Sequence, residues 1–519
     1  VRETLAAAWE AHRRRDWQAA RSGFIEAATV EPLSADGTFA LADAAWWLGL
    51  VEESLAVGEQ AYRRYLDGDR PERAAMAAIH IAVDLLLRGD GVLGAGWIRR
   101  AQRLLEDQPE APERGYLLYL TEVEAGLGGP ECDQVAAAAV RVGALGRECA
   151  DPNLVALGIL GEGRALLKQG RTVEGFALLD EAMVAVLTEE LSPEWAGNIY
   201  CHLMAACHEL GDVRRAAAWT RATTEWLTTL PAAVLFTGIC RVHRSQVLQA
   251  TGGWDEAEEE AARVCEDLEH IHVASAAEAH YQVGELRRLR GAFDQAEDAY
   301  EQARARGRDP QPGLALLHLD RGRQGLAASA IASSLAGNDD QLGRLRLRAA
   351  QVEIALRGED VELAEEAAEE VAAIAERFGC DGFVATSQAV RAACLLARER
   401  PEPALALLRA ACWTWRELGL SYDAARAGVL LARAYAAVGT GTARRGSSRR
   451  LAGCSSDWVR SATPGSSRVC WAKLAVLAGS QLERSRCSPR SRPGARIVRS
   501  PNDWSSASGL WSVTCRTSS

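Results

Sequence analysis

The chain has 519 residues, too many for one ordinary globular core, so it either divides into domains or extends as a repeat array. Its net charge of -11 excludes a nucleic-acid grip spread over the whole surface. Ala, Leu, Glu and Arg dominate and Pro is scarce, a mixture that favours helices and leaves too little Val, Ile and Tyr for a large sheet.

Val1-Arg2-Glu3-Thr4-Leu5 runs into an amphipathic helix with no secretory signal. No stretch of 18 apolar residues spans a bilayer, and the 13 cysteines lie singly rather than in the dense spacing of a stapled domain. The cytoplasm is the expected location, with no membrane partner. Lysine occurs only at Lys168 and Lys473, so Arg carries the positive charge, a bias of GC-rich coding DNA rather than of chemistry.

Helical hairpins follow in order. Residues 1–32 carry Asp16-Trp17, Ala20, Phe24, Ala27 and Pro32. The next unit turns at Gly49 and places an aromatic at Tyr62. Further turns fall at Gly89-Asp90, Gly129, Gly170-Arg171, Gly211-Asp212 and Gly252-Gly253, then at Gly291, Gly322-Arg323, Gly358-Glu359, near Glu399, and at Gly439. The clearest unit is His280–Pro310. Gly291 permits the turn, Phe293, Ala296, Tyr300 and Ala303 share one face, and Gly307 and Pro310 end the second helix. Small Ala296 lets the paired helices approach, and Tyr300 fills the space towards the next hairpin.

This alternation of small and large residues resembles the tetratricopeptide pattern, although the steps of about 40 residues exceed its usual unit. The expected fold is therefore all-α: a tetratricopeptide-like superhelix of ten or eleven hairpins over residues 1–439. The resemblance implies a right-handed coil. Stacked hairpins share one continuous core, with stability adding repeat by repeat, and a concave groove is left for a protein partner or small-molecule effector.

After Val438 the character changes. Residues 441–519 hold 18 Ser and 13 Arg against Asp457, Glu483 and Asp503. Runs such as RRGSSRR read as disorder. A basic tail touching phosphates, a cryptic folded domain and translation in a shifted frame compete for residues 440–519.

Leu418–Gly439 (LGLSYDAARAGVLLARAYAAVG) and Asp309–Arg323 (DPQPGLALLHLDRGR) resemble the last repeats of large actinobacterial LuxR-type transcriptional regulators. That family implies an ATP-binding module before the repeats and a helix-turn-helix after them. Arg486-Cys487-Ser488-Pro489 and Gly494-Ala495-Arg496-Ile497-Val498 are what codons of the family's helix-turn-helix consensus give one nucleotide out of register. A frame change near residues 438–445 is the favoured expectation, and DNA becomes a partner only if that domain is restored. No GxxxxGK[ST] loop is present, and Lys168 sits in a turn, so the chain is expected to begin inside such a regulator or to belong to a shorter relative.

Possible chemistry is sparse. Cys201, His202, Cys207 and His208 share one helix, but Cys201–Cys207 and His202–His208 are each six apart, where ligands on one face need three or four. Cys240 and His243 have the right spacing without a partner cluster, and His270, His272 and His280 lie near a helix end. The expected roles are cysteines in the core and histidines on helix surfaces. The Glu-rich run Asp255–Glu269 is expected to be a solvated face with i,i+4 Glu–Arg pairs. No GxSxG, HExxH or GxGxxG is present. No catalytic, cofactor-binding or metal-ligating residue is assigned, and the chain is read as no enzyme. The Trp residues are expected between hairpins, with one of Trp46 and Trp47 turned to the groove, because the two point about 100° apart on a helix.

The leading expectation is a protein- or effector-binding repeat region that relays a signal to a DNA-binding output. The alternative is a stand-alone tetratricopeptide adaptor.

Overall fold

The computed structural model describes residues 2–129, 131–188, 191–227 and 234–445. The basic tail from 446 onward, including the strings Arg486–Pro489 and Gly494–Val498 quoted above, lies outside the described residues.

Antiparallel helical hairpins follow one another. They are α1 (Arg2–Arg13) with α2 (Trp17–Ala28), α3 (Ala35–Trp47) with α4 (Val51–Asp67), and α5 (Pro71–Leu87) with α6 (Gly91–Leu104). Next, α7 (Glu113–Leu118) continues as a π-helical turn, Tyr119–Glu124, and pairs with α8 (Cys132–Glu148). Then come α9 (Pro152–Lys168) with α10 (Thr172–Leu187), α11 (Pro193–Leu210) with α12 (Val213–Leu227), and α13 (Val234–Thr251) with α14 (Trp254–Asp267). The last hairpins are α15 (Val273–Leu289) with α16 (Phe293–Ala305), α17 (Gly313–Asp320) with α18 (Gln324–Ala336), α19 (Gln341–Arg357) with α20 (Val361–Phe378), and α21 (Asp381–Ala397) with α22 (Pro401–Glu417). A single helix, α23 (Ser421–Arg445), follows. The architecture is an all-α, tetratricopeptide-like solenoid, with no strand among the described residues.

The turns form for local reasons. Gly49, Gly89, Gly170, Gly211, Gly252, Gly291 and Gly322 all take positive φ between paired helices, a region closed to most side chains. Three hairpins put that strain on other residues: Arg15 (φ 62°), Glu359 rather than Gly358 (φ 60°), and Glu399 (φ 57°). The expected turn at Gly439 does not form. Without a proline or cap to stop it, α23 runs through that position to Arg445.

The repeat logic holds inside the best-marked unit. Ala296, Tyr300 and Ala303 are wholly buried. A Cβ on Gly284 would lie 2.6 Å from the Tyr300 ring, so glycine there lets α15 and α16 close on the aromatic. The α8–α9 pair closes further still, because a Cβ on Gly158 would lie 2.6 Å from the Gly143 backbone and one on Gly146 would lie 2.6 Å from the Val155 nitrogen. Aromatic side chains link the first hairpin to the second and the fourth to the sixth. Trp17 stacks on Trp47 at 5.2 Å and 6°, and Tyr116 stacks on Trp195 at 5.0 Å.

The expectation that stability adds repeat by repeat needs correction. Hairpins five apart also touch. Lys168 Nζ of α9 donates to Asp340 at the start of α19 at 3.2 Å. The Thr172 hydroxyl donates to the Phe378 carbonyl at 3.1 Å, and Arg214 of α12 lies 3.8 Å from Glu417 of α22. Trp254 of α14 meets Tyr422 of α23 edge-on at 5.5 Å. Leu342, Leu345, Val371, Ile374, Phe378 and Phe383 join the same buried cluster as residues of the first six hairpins. The coil is therefore wound to about five hairpins per turn, and consecutive turns share a core.

Phe378 is 1% exposed on this seam. Phe378→Ala is expected to cost about 3–5 kcal/mol. Hydrogen exchange should accelerate in α9 and α10 as well as in α20 and α21. Acceleration confined to α20 and α21 would mean that the turns do not support each other.

Candidate functional site

The odd-numbered helices from α9 onward each pack on the next odd-numbered helix, whereas among the described residues no even-numbered helix packs comparably on the next even one. Curvature thus puts the odd helices on the inside. Their apolar residues are consumed by packing within and between hairpins, so the residues left on the inner wall are largely polar. They meet in three groups.

The first group joins α1, α3, α5 and α11. His12 Nε2 lies 2.8 Å from Asp43, and His80 Nε2 lies 3.7 Å from Glu194 with its ring edge-on to Phe39. Ser54 of α4 donates to the buried Asp84 at 2.9 Å. Burial pushes the Asp84 carboxyl up to about 7, with Glu194 and Asp43 adding to the rise against Ser54 and His80. Glu194 is raised by burial and by Asp43, against His80. Carboxylates outnumber cations here.

The second group is centred on the π-helical turn. That geometry puts Tyr119 and Glu124, five residues apart, on one face, and the hydroxyl lies 3.0 Å from Glu124 Oε2. Asn198 Oδ1 is 2.6 Å from the same hydroxyl, and His202 Nε2 is 2.9 Å from Glu124. Arg164 of α9, 4% exposed, reaches Glu209 at 3.0 Å. Burial pushes the Glu124 carboxyl up, but His202, Tyr119 and Arg164 outweigh it and hold it down at about 2. His208 sits well below its ordinary range through burial and the charges of Arg346 and Arg308, and burial lowers His243 to about 4. Arg346 of α19 donates to the His208 carbonyl, tying this group to the seam. Buried Nε and Nη1 of Arg164, with Nδ1 of His243 and Oε1 of Gln246, have no hydrogen-bond partner among the described residues.

In the third group Arg288 bridges Glu285 at 3.1 Å and Asp320 at 3.3 Å, and Tyr300 bonds Glu285. Arg426 of α23 donates to Glu353 of α19 at 2.6 Å.

Of the histidines singled out in the sequence, His270 is exposed in the turn after α14, whereas His202, His208 and His243 are half-buried. His202, His208 and His243 face the interior because α11 and α13 are inner helices. Cys207 and Cys265 are buried as expected, and no set of three His, Cys, Asp or Glu residues converges as a metal site among the described residues. The Glu-rich run is tied down differently from the expected i,i+4 pairing. Asp255 and Glu258 take Arg290, Glu258 also takes Arg287, and Glu260 takes Arg241, all from neighbouring helices. Trp47 is buried between hairpins. Trp46 lies edge-on to it in a notch with Val51, Asp84, Leu87 and Ile271, which places it at the seam between turns rather than in an open groove. The π-helical turn escaped sequence reading because a single extra residue leaves the apolar spacing of YLLYLTEVEAGL nearly intact.

Asp84 gives a pH test with a definite sign. An acid raised in the folded state keeps its proton while the unfolded chain ionises, so stability falls as pH rises from about 4 to about 7. Asp84→Asn is expected to match the parent at pH 4 and to be more stable by about 1–3 kcal/mol at pH 8. Urea melts at both pH values measure this, and a pH-independent difference contradicts it.

No family model and no curated protein matches the chain. Among solved structures it is similar to the APC/C hetero-tetramer Cut9–Hcn1, at 13% identity over 84% of this chain and 89% of that one, with a TM-score of 0.40. It is also similar to a Rap protein complexed with competence and sporulation factor, at 12% identity over 70% and 99% of the two chains and a TM-score of 0.36. Yeast Tom70 aligns at 13% identity over 85% and 96%, with a TM-score of 0.33. Likeness this distant concerns helical architecture alone.

Proposed function

We propose that the chain is the partner- or effector-sensing repeat region of a transcription regulator resembling the LuxR type, and that its inner wall receives the ligand. The observation that carries this reading is the central group: Glu124, His202, Arg164, Glu209 and His208, drawn from several hairpins, meet on the inner wall around the buried Arg164, with Arg164, His243 and Gln246 incompletely bonded. Desolvated polar groups converging on a concave wall favour binding of a complementary polar ligand, because each gains a partner that water does not supply. Since Arg346 links this group to the seam, a ligand there changes how one turn is held against the next, which gives a route for relay. The reading is of a binding module and not of an enzyme. The regulator assignment rests on the resemblance of Asp309–Arg323 and Leu418–Gly439, with residues 1–439 as the repeat region and 440–519 as a frame-shifted tail.

Two measurements test it. Thermal melts against short peptides, carboxylates and amines identify ligands that stabilise the chain. Their affinity is expected to fall at least about tenfold in the Glu124→Gln/His202→Ala variant, whose helicity is checked by circular dichroism. Binding undiminished there and in Arg346→Ala moves the ligand off the inner wall. Translating the coding DNA in its other frames beyond residue 439 should reveal a helix-turn-helix sequence; its absence removes the regulator assignment and leaves the adaptor.

A further inference from the structure

Helix α6 stands in the outer layer and is poorly covered: only Gly94 and Ala101 within it are buried. Val92 is 89% and Leu93 60% exposed, and Leu86 of α5, also exposed, lies beside Gly94. A Cβ placed on Gly91 or Gly96 would meet nothing within 4 Å. Helical spacing lines up Val92, Gly96, Arg99 and Arg103, with Leu93 and Arg100 alongside. The outer face is thus apolar and low over its first turns and cationic over its last.

The arginines are exposed and none forms an ion pair among the described residues. Arg100 rests over the rings of Tyr62 and Trp97 at 5.3 Å, and the nearby Glu106 and Asp107 do not close on any of the three. Elsewhere several arginines do find carboxylates, across hairpins in Arg21–Glu53 and Arg321–Glu297 and within one in Arg344–Glu370, whereas α6 sets three uncompensated arginines side by side. Charge left uncompensated beside uncovered apolar surface calls for a partner that supplies both complements.

We propose that the exposed face of α6 docks an amphipathic helical segment of a partner protein, apolar at one end and carboxylate-bearing at the other. Gly91, Ala95 and Gly96 keep the surface low between the side chains, which suits the close approach of another helix. A lipid surface calls for several large Leu, Phe or Trp anchors on one full face, and of these α6 exposes only Leu93, among glycines and arginines. Duplex DNA would meet the arginines but leave Val92 and Leu93 against phosphates. The site is on the outer layer and does not depend on the inner-wall reading.

The probe is a labelled, helix-stapled peptide with two leucines followed by three glutamates on one face, titrated with the full chain by fluorescence anisotropy. Saturable binding is expected, weakening as salt rises. Val92→Asp and Arg99→Glu/Arg103→Glu should each reduce affinity at least about tenfold. Val173→Asp, a change at an equally exposed apolar residue of α10 beside the Arg171–Glu174 pair, should not. Circular dichroism confirms that each variant keeps its helicity. Absence of saturable binding overturns the proposal, as does equal binding by the α6 variants. So does α6-dependent binding of phosphatidylglycerol vesicles or duplex DNA in place of the peptide.

Discussion

Lys168 and Asp340 are 172 positions apart in sequence and 3.2 Å apart in space. That contact belongs to a continuous seam, with Thr172 on the Phe378 carbonyl, Arg346 on the His208 carbonyl, and Leu342, Leu345, Ile374 and Phe383 buried against the first half of the chain. In a simple solenoid each repeat supports only its neighbours. Here the small rotation from hairpin to hairpin brings the eighth over the third, the tenth over the fifth and the eleventh over the sixth, so an outer edge that would otherwise face water becomes core. Much else in the molecule follows from that pitch.

The inner wall shows this most directly. A wide coil would leave His202, Glu124 and Arg164 bathed in water, with ordinary proton affinities. A tight coil encloses them, so burial contends with pairing at every site. Pairing prevails at Glu124, held at about 2, whereas burial prevails at Asp84, lifted to about 7. The difference lies in neighbours: Glu124 has His202 and Arg164, while Asp84 has Ser54 and a histidine shared with Glu194. Both outcomes are written by the same geometry acting on different local charge.

The hairpins themselves were legible in the sequence. Gly89, Gly170, Gly211 and Gly291 mark turns because only glycine takes their backbone angles without strain, and Ala296 and Tyr300 declare a packed face by size alone. Gly439 misled for the complementary reason: a glycine permits a turn but does not compel one, and the flanking alanines carry α23 through it. The π-helical turn was invisible because it adds one residue without changing composition. The seam was invisible too, since pitch accumulates from many small packing angles and no single residue encodes it. Without the pitch, the histidines of α11 and α13 looked like surface residues, and one of Trp46 and Trp47 looked like a groove residue, where Trp46 is part of the joint between turns.

The seam also sets an order in time. Thr172 and Phe378 are 206 residues apart, so at the usual pace of synthesis α10 waits about 10–40 s for the helix that covers it. Closing so long a loop carries an entropic cost that neighbouring hairpins do not face. The first turn of the coil must therefore persist for a while with Leu342's and Phe378's future contacts open to solvent, which makes the nascent chain, more than the finished one, the form most exposed to wrong association.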